Sequence, residues 1–385
     1  MAKELAAKRM IGPFEKSPFP YFCVSPLGAR EKKEPGKYRI IHDLSAPKKG
    51  VSVNGNIAET KGSVSYADIP AAVRLIQQQG QGCVLAKTDI EHAYKLLPIH
   101  KDDIPALGIR WQGNLYFDCT LPMGCRTGCK LFEIFSTALE FIAWEQNCGP
   151  LCHILDDFLM VTPHTGAAKL RLARFQFICK KLGVPLSEEK TEWGTCLTFL
   201  GILLDTIRMQ ASLPEDKLKK CRDLITRYLC EKKITVKQLE SLTGVLNFAC
   251  QVVVPGRPFL RRLYQLLSGV RKKPYFKIKL TSGAKNDLRM WLSFFNSYNG
   301  VSMFLPNEWT LQSSLHFYTD ASKTIGYGIV FGKKWALGVW PKTWKTKKHD
   351  ICLLEFYPIL IAFKLFAKEV ANTRVLIHTT VFTSI

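Results

Sequence analysis

The six residues Ile154-Leu155-Asp156-Asp157-Phe158-Leu159 constrain this chain more than any other stretch. Two adjacent acids sit between apolar pairs, which reads as a short strand, a two-residue turn and a second strand. A buried, unpaired carboxylate is expensive. Two of them ~4 Å apart, at an effective dielectric near 20, repel by roughly 4 kcal/mol. A divalent cation removes that penalty, and Mg²⁺ prefers carboxylate and phosphate oxygens. Taken alone, an Asp-Asp turn is more often a solvated tip. A third acid shifts the balance. Asp89 ends the apolar strand around Cys83 to Thr88 and precedes Ile90-Glu91-His92-Ala93-Tyr94. One strand end and one neighbouring hairpin can place three carboxylates around two ions roughly 3.5–4 Å apart, the arrangement of two-metal phosphoryl transfer.

The flanking pattern alternates strands and helices. Spaced apolar residues predict a helix from Tyr66 to Gln79 and another from Leu131 to Trp144. Strands are expected around Tyr38 to Leu44 and on either side of Gln112-Gly113-Asn114. Residues 166–182 read as a basic helix, 195–206 as a hairpin, and the stretch from Pro214 to about Gly269 as helical. A basic, Pro- and Gly-containing segment from Arg271 marks a boundary, and strands return from about Leu315.

Charge narrows the partners. Among 385 residues, 54 Lys and Arg stand against 32 Asp and Glu, a net charge of +22. Such an excess favours a polyanion, because counterion release from nucleic acid drives binding. No basic amphipathic helix with an aromatic face points to a membrane surface, and no apolar run approaches the ~18 residues of a span. The N-terminus lacks the apolar core of a secretory signal. The 13 cysteines contain no C-x-x-C pair, so free thiols in an intracellular, reducing compartment are expected rather than zinc ligands. Short basic runs such as 345–348 do not separate nucleus from cytoplasm.

The blocks GKYRIIHDLSAP, AKTDIEHAYKLLP, LPMGCRTGCKLFEIFSTALE, HILDDFLMV, GVPLSEEKT and LTFLGILLDT stand in this order along the chain. They resemble the successive motifs of retroelement reverse transcriptases, over about residues 20–270. The wording SPLG, KYRIIHDLS and LPMGC is most similar to tyrosine-recombinase retrotransposons of the DIRS and Ngaro type. The resemblance implies an α+β, right-hand polymerase: fingers and palm over 1–205, a helical thumb over 206–270 and a connection over 271–312. A truncated ribonuclease H-like α/β domain would follow over 313–385. It implies an RNA-directed DNA polymerase using Mg²⁺, or Mn²⁺ in its place, with an RNA or DNA template, a primer and dNTPs as partners.

Site roles follow from the same resemblance. Asp89 and Asp156 would ligate both metals, with Asp157 beside them. Arg39 matches the fingers arginine that holds the incoming triphosphate, a task suited to a bidentate guanidinium. Lys33, or its neighbour Lys32, would be its companion. Tyr94 matches the aromatic gate that rejects a 2′-hydroxyl, and the alternative is a core tyrosine. Lys190 matches the lysine that protonates the leaving pyrophosphate, or is a surface lysine. Leu200 and Gly201 fall at the primer grip. Met123 stands where many relatives have Gln or Phe, and Ile154 replaces the Tyr of Tyr-x-Asp-Asp. Both departures imply altered fidelity or affinity rather than lost activity. Lys219, Lys220, Arg222, Arg257, Arg261 and Arg262 would grip duplex backbone from the thumb.

The tail LHFYTDAS, GYGIVFG, KWALGVWP, ICLLEFYPILIAF and RVLIHTT resembles the opening of a ribonuclease H fold. Asp320 and Glu355 would supply two of its metal-binding acids. Thr380 falls where a further Asp is expected, and Pro358 interrupts the helix pattern. Two acids should hold two Mg²⁺ ions poorly, so weak or absent hybrid cleavage is expected. Two competing readings remain: a decayed retroelement product that binds nucleic acid without catalysis, and a palm-fold nucleotidyl cyclase, which needs neither a basic thumb nor this tail.

Overall fold

A computed structural model describes the chain except residues 32–35, 37, 49, 164–166, 269–273, 298–301, 304–315, 346–348, 371–374 and 380–385, and describes Arg39 by its backbone only. The chain divides into two compact units, Met1–Ser302 and Met303–Ile385.

The first unit is built around a four-stranded antiparallel sheet. Its order is Leu151–Ile154, Asp157–Thr162, Val84–Asp89 and Glu192–Gly194. Val84–Asp89 and Asp157–Thr162 are the interior strands, and both are nearly buried throughout. Their β-branched and apolar residues suit strands covered on both faces. The helices Gly128–Glu145 and Ala168–Lys181 pack on the sheet through one core that contains Ala86, Phe132, Leu139, Phe158, Met160 and Phe175. The helix Ile69–Gln79 packs against the hairpin as well. Asp68 caps it by accepting from Ala71 N at 2.9 Å, a role its short side chain fills at little entropic cost.

Smaller sheets flank this centre. Met10–Phe14 pairs with Asn114–Asp118, which pairs with Gly108–Trp111. Leu27–Glu31 and Tyr38–His42 form a separate hairpin. Cys196–Phe199 and Ile202–Asp205 close around Leu200 and Gly201, at φ 49° and 76°, and Gln210–Ser212 adds a third strand.

Beyond Pro214 come the helices Glu215–Cys230, Val236–Ala249 and Arg261–Ser268. Thr235 and Gln238 form a reciprocal capping box on the second of them, the arrangement that satisfies two otherwise orphaned amides. Two elements here were not expected from the sequence. Lys233–Thr235 is a strand paired with Lys277–Lys279. Within the stretch 271–312, read above as connection, Ser282–Ser297 forms a helix that packs against Glu215–Cys230 and Arg261–Ser268. Trp291 and Phe295 on that helix are fully buried.

The second unit is a four-stranded sheet, Lys334–Val339, Gly326–Phe331, Phe317–Ala321 and His378–Thr379, with the last pair parallel. The helix Ile351–Phe366 packs on Phe317–Ala321 and Gly326–Phe331 and continues through Pro358. Among the described residues of the whole chain, no helix is long and apolar enough to cross a membrane.

The core of the first unit should be sensitive to volume. Phe175 is fully buried, with its ring 5.4 Å from that of Phe158. Phe175→Ala should cost about 3–5 kcal/mol, read as a lowered urea midpoint with little change in slope.

Candidate active site

The register of the central sheet assembles the site. Asp89 is the last residue of its strand and lies directly opposite Asp157, while Asp157 pairs across the hairpin with Ile154. The turn is therefore Leu155-Asp156, with Asp157 already in the second strand. Three backbone bonds pin the surrounding chain. Ile90 N donates to Asp156 O at 3.0 Å, Ser187 N to Asp89 O at 2.8 Å, and Glu91 N to Pro185 O at 2.9 Å. Asp89, Asp156 and Asp157 thus share one end of the sheet.

Electrostatics record the crowding. Asp89 is only 6% exposed. Burial, foremost, and the nearby Asp89 and Asp157 carboxylates push the Asp156 carboxyl above its ordinary value. Asp157 is raised chiefly by burial and then by Asp89, against the opposing pull of Lys87. Lys190 supplies the compensating charge. Its ammonium lies 2.7 Å from Asp89 Oδ1, and that contact foremost raises its pKa. Thr88 and Thr191 hydroxyls, 2.9 Å apart, tie the Lys190 loop to the strand.

Among the described residues, no three His, Cys, Asp or Glu side chains converge closely enough to form a ready-made ion cage. The donor set nevertheless fits a hard divalent cation. It consists of carboxylate oxygens alone, two of which resist ionisation chiefly because they are buried and then because neighbouring carboxylates crowd them. The ammonium of Lys190 stands where such an ion would contact Asp89.

Tyr94 lies beside this cluster in the short 3-10 turn Ala93–Leu96. Its ring stacks on Phe132 with centroids 5.4 Å apart, and its hydroxyl donates to Cys129 Sγ at 3.1 Å. Burial, foremost, and the Cys129 contact raise its pKa, so the hydroxyl stays protonated. The same thiol helps to push Tyr66 up to about 12, although burial is the larger cause there. Gly128 fixes the approach, because a Cβ at that position would lie 3.2 Å from the Tyr94 ring.

Met123 is exposed on the loop that follows buried Leu121. Gly124 holds the loop close beneath the strand Tyr38–His42. Its φ is 111°, and a Cβ there would fall 2.7 Å from His42 O, a position only glycine fills without strain. Asn54, buried, clamps the same loop by donating to Gly124 O and accepting from Arg126 N, both at 2.8 Å. Arg39 sits in the strand Tyr38–His42 opposite Arg30, and Lys32, Lys33 and Thr380 lie outside the described residues. The turn Leu200-Gly201 is held by Lys217, whose ammonium donates to Gly201 O at 3.0 Å and lies over the Phe248 ring.

The basic residues after Pro214 divide in two. Lys219, Lys220, Arg257 and Arg261 are exposed. Arg262 instead pairs with buried Asp287 at 2.5 Å, and Arg222 donates to Phe295 O at 3.0 Å. In the second unit, Asp320 is exposed on the strand Phe317–Ala321. Glu355 is buried on the helix and accepts from Thr379 Oγ1 at 3.4 Å.

Sequence reasoning passed over Asn54 and the polar residues behind the Asp156 turn, Glu133, Ser136 and His153. The last three could have been noticed as polar side chains on otherwise apolar, buried stretches.

The antiparallel sheet thus carries three acids at one end, with a tyrosine beside it. Residues 31–204 match the family described as reverse transcriptase (RNA-dependent DNA polymerase). The chain is 27% identical over 264 residues to a Gag-Pro-Pol polyprotein of human T-cell leukemia virus 3, across 65% of this chain and 16% of that protein. Its fold is similar to a foamy viral protease-reverse transcriptase (dRH) in complex with double-stranded DNA. There the TM-score is 0.63 at 18% identity, covering 99% of this chain and 61% of that one. A foamy viral protease-reverse transcriptase with an RNA/DNA hybrid aligns at TM-score 0.59 and 17% identity, over 99% of this chain and 47% of that one. The chain thus spans about a sixth of the polyprotein and roughly half to three fifths of these two solved chains.

The raised carboxyls carry a pH signature. The native state keeps the Asp156 proton to a higher pH than the unfolded chain does. Its ionisation therefore erodes stability as pH climbs from the ordinary Asp value of about 3.9 through the raised native one. Asp156→Asn should gain stability relative to wild type as pH rises above about 4 in urea titrations, and added Mg²⁺ should narrow the gap. A pH-independent difference would mean that the carboxyl titrates as it does in water.

Proposed function

We propose that this chain is an RNA-directed DNA polymerase of a retrotransposon, extending a primer 3′-hydroxyl with dNTPs on an RNA or DNA template. The observation that carries the reading is the meeting of Asp89, Asp156 and Asp157 at one end of a sheet within the residues that match the reverse transcriptase family. Mg²⁺, or Mn²⁺ in its place, would be held by these three carboxylates and would supply Lewis-acid activation of the primer hydroxyl and neutralisation of the triphosphate.

The chain's own residues do the rest. Tyr94, its ring fixed by Phe132, Gly128 and Cys129, leaves no room for a 2′-hydroxyl and so selects deoxynucleotides. Arg39 and Lys33 bind the triphosphate from the fingers, and Met123 lines the nucleotide pocket. Lys190 holds its proton on Asp89 and can pass it to the departing pyrophosphate. Leu200 and Gly201 position the primer strand. Residues 1–205 act as fingers and palm and 206–270 as thumb, with Lys219, Lys220, Arg257 and Arg261 contacting phosphates without reading bases. In this scheme 271–312 connects to a partial ribonuclease H-like domain over 313–385. That domain cleaves hybrid weakly or not at all with Asp320 and Glu355 as its metal-binding acids. The wording SPLG, KYRIIHDLS and LPMGC supports an element of the DIRS or Ngaro type.

Primer extension on an RNA template with dNTPs and Mg²⁺ tests the reading. Wild type should extend the primer, and Asp156→Asn should lose at least about 10²-fold, the scale of removing one group that stabilises transition-state charge. Folded protein that binds primer-template without extending it would favour the decayed-element reading instead. Binding should also weaken by roughly 10³–10⁵ between 50 and 200 mM salt if 6–10 phosphates are neutralised. A flat salt dependence in a filter-binding titration would remove the thumb assignment.

A further inference from the structure

The turn that presents Asp156 begins on a backbone outlier. Leu155 has φ 52°, a conformation that branched residues rarely adopt and that persists only where surrounding contacts over-determine it. One helix supplies both contacts. Leu155 N donates to Glu133 Oε2 at 2.9 Å, and Leu155 O accepts from Ser136 Oγ at 2.7 Å. Glu133 and Ser136 are three residues apart on Gly128–Glu145, so they lie on one helix face. They are 8% and 0% exposed.

Glu133 lies close to a buried imidazole. His153 Nε2 stands 3.4 Å from Glu133 Oε1, and His153 Nδ1 contacts Glu140 of the same helix. The imidazole lies flat against Phe158, with centroids 5.2 Å apart. Glu140 and Glu133 thus flank the His153 imidazole, and Glu133 reaches the Leu155 amide, one residue from Asp156. A polar side chain buried beneath an apolar hairpin has a cost that packing alone does not repay.

We propose that Glu133 and Ser136 are positioning residues that lock the Leu155-Asp156 turn, and so set the affinity of the aspartate cluster for divalent cations. The inference rests on reading Asp89, Asp156 and Asp157 as the ion-binding set. Neither residue touches the ion. Each acts through the backbone of Leu155, as the outer partners of metal ligands act through the ligands they orient.

The test uses the full chain with Glu133→Ala, Glu133→Gln and Ser136→Ala. Mn²⁺ binding is followed by electron paramagnetic resonance without substrate, and exchange of the Leu155 amide by NMR or mass spectrometry. Glu133→Ala should speed Leu155 exchange and weaken Mn²⁺ binding by about 10–100-fold, the usual cost of losing an outer partner. The Kd for primer-template should stay within about twofold, because phosphate contacts lie elsewhere. Glu133→Gln retains an oxygen acceptor for the amide and should recover most of the Mn²⁺ affinity. A folded Glu133→Ala protein that binds Mn²⁺ like wild type overturns the proposal. Should that variant fail to fold, Ser136→Ala decides: unchanged Mn²⁺ binding there overturns it equally. Wild type that binds Mn²⁺ through these aspartates yet extends no primer would sink the polymerase reading while an Ala–Gln contrast still upheld the latch. Wild type that binds no Mn²⁺ would overturn both.

Discussion

Repulsion among Asp89, Asp156 and Asp157 is the constraint around which the first unit is organised. Strand register forces Asp157 opposite Asp89, so the chain cannot relieve the crowding by moving one acid without unpairing the sheet. What it does instead is visible nearby. Lys190 pairs with Asp89, and Lys87 pulls on Asp157. The remaining stress shows in Asp156 and Asp157, which hold their protons longer than free carboxyls. Under the proposed function, buried and crowded carboxyls of this kind would ionise fully only when a cation joins them. Here the cost to the fold and the capacity to bind a cation are one quantity.

The neighbouring cleft follows from close approach rather than charge. Gly124 lets the Met123 loop pass beneath the strand that carries Arg39, and Gly128 lets the Tyr94 ring lie against the start of its helix. Cys129 then fixes the tyrosine hydroxyl from the same first turn. Two glycines and a thiol within a few residues therefore set the floor and one wall of the cleft. A phenol held by ring stacking and a weak thiol acceptor is rigid in position yet makes no strong polar demand. Under the proposed function, that would suit a surface that excludes a hydroxyl rather than binding one.

The central sheet was legible because its signals are local: apolar runs, an acid at a strand end and an Asp-Asp pair inside a hairpin. The turn at Gln112-Gly113 and the helix over Gly128–Glu145 were legible for the same reason. What escaped depends on partners distant in the chain. The strand Lys233–Thr235 pairs with Lys277–Lys279, two short basic segments with no strand signature of their own. The helix Ser282–Ser297 shows Ala284, Leu288, Trp291 and Phe295 at helical spacing, but a basic, proline-containing stretch just before it read as a linker. Glu133 was passed over, although it interrupts an apolar stretch, because a carboxylate on a helix is ordinarily a solvated charge. Only the fold reveals that it lies under the hairpin, on a backbone amide.

The basic residues after Pro214 show why a charge count overstates a binding surface. Arg262 neutralises the buried Asp287, and Arg222 satisfies the carbonyl of Phe295 at the end of the helix Ser282–Ser297. Both tie that helix into the bundle, although the Arg262 side chain stays more than half exposed. Lys219, Lys220, Arg257 and Arg261 remain exposed, and Lys217 reaches back to Gly201 in the hairpin expected to meet the primer. The helical bundle is thus coupled to the catalytic sheet through a lysine that also lies over Phe248. Under the proposed function, a duplex drawn in by the exposed residues would be registered against the aspartates through that hairpin, so the placement of a few cations would matter more than the net charge.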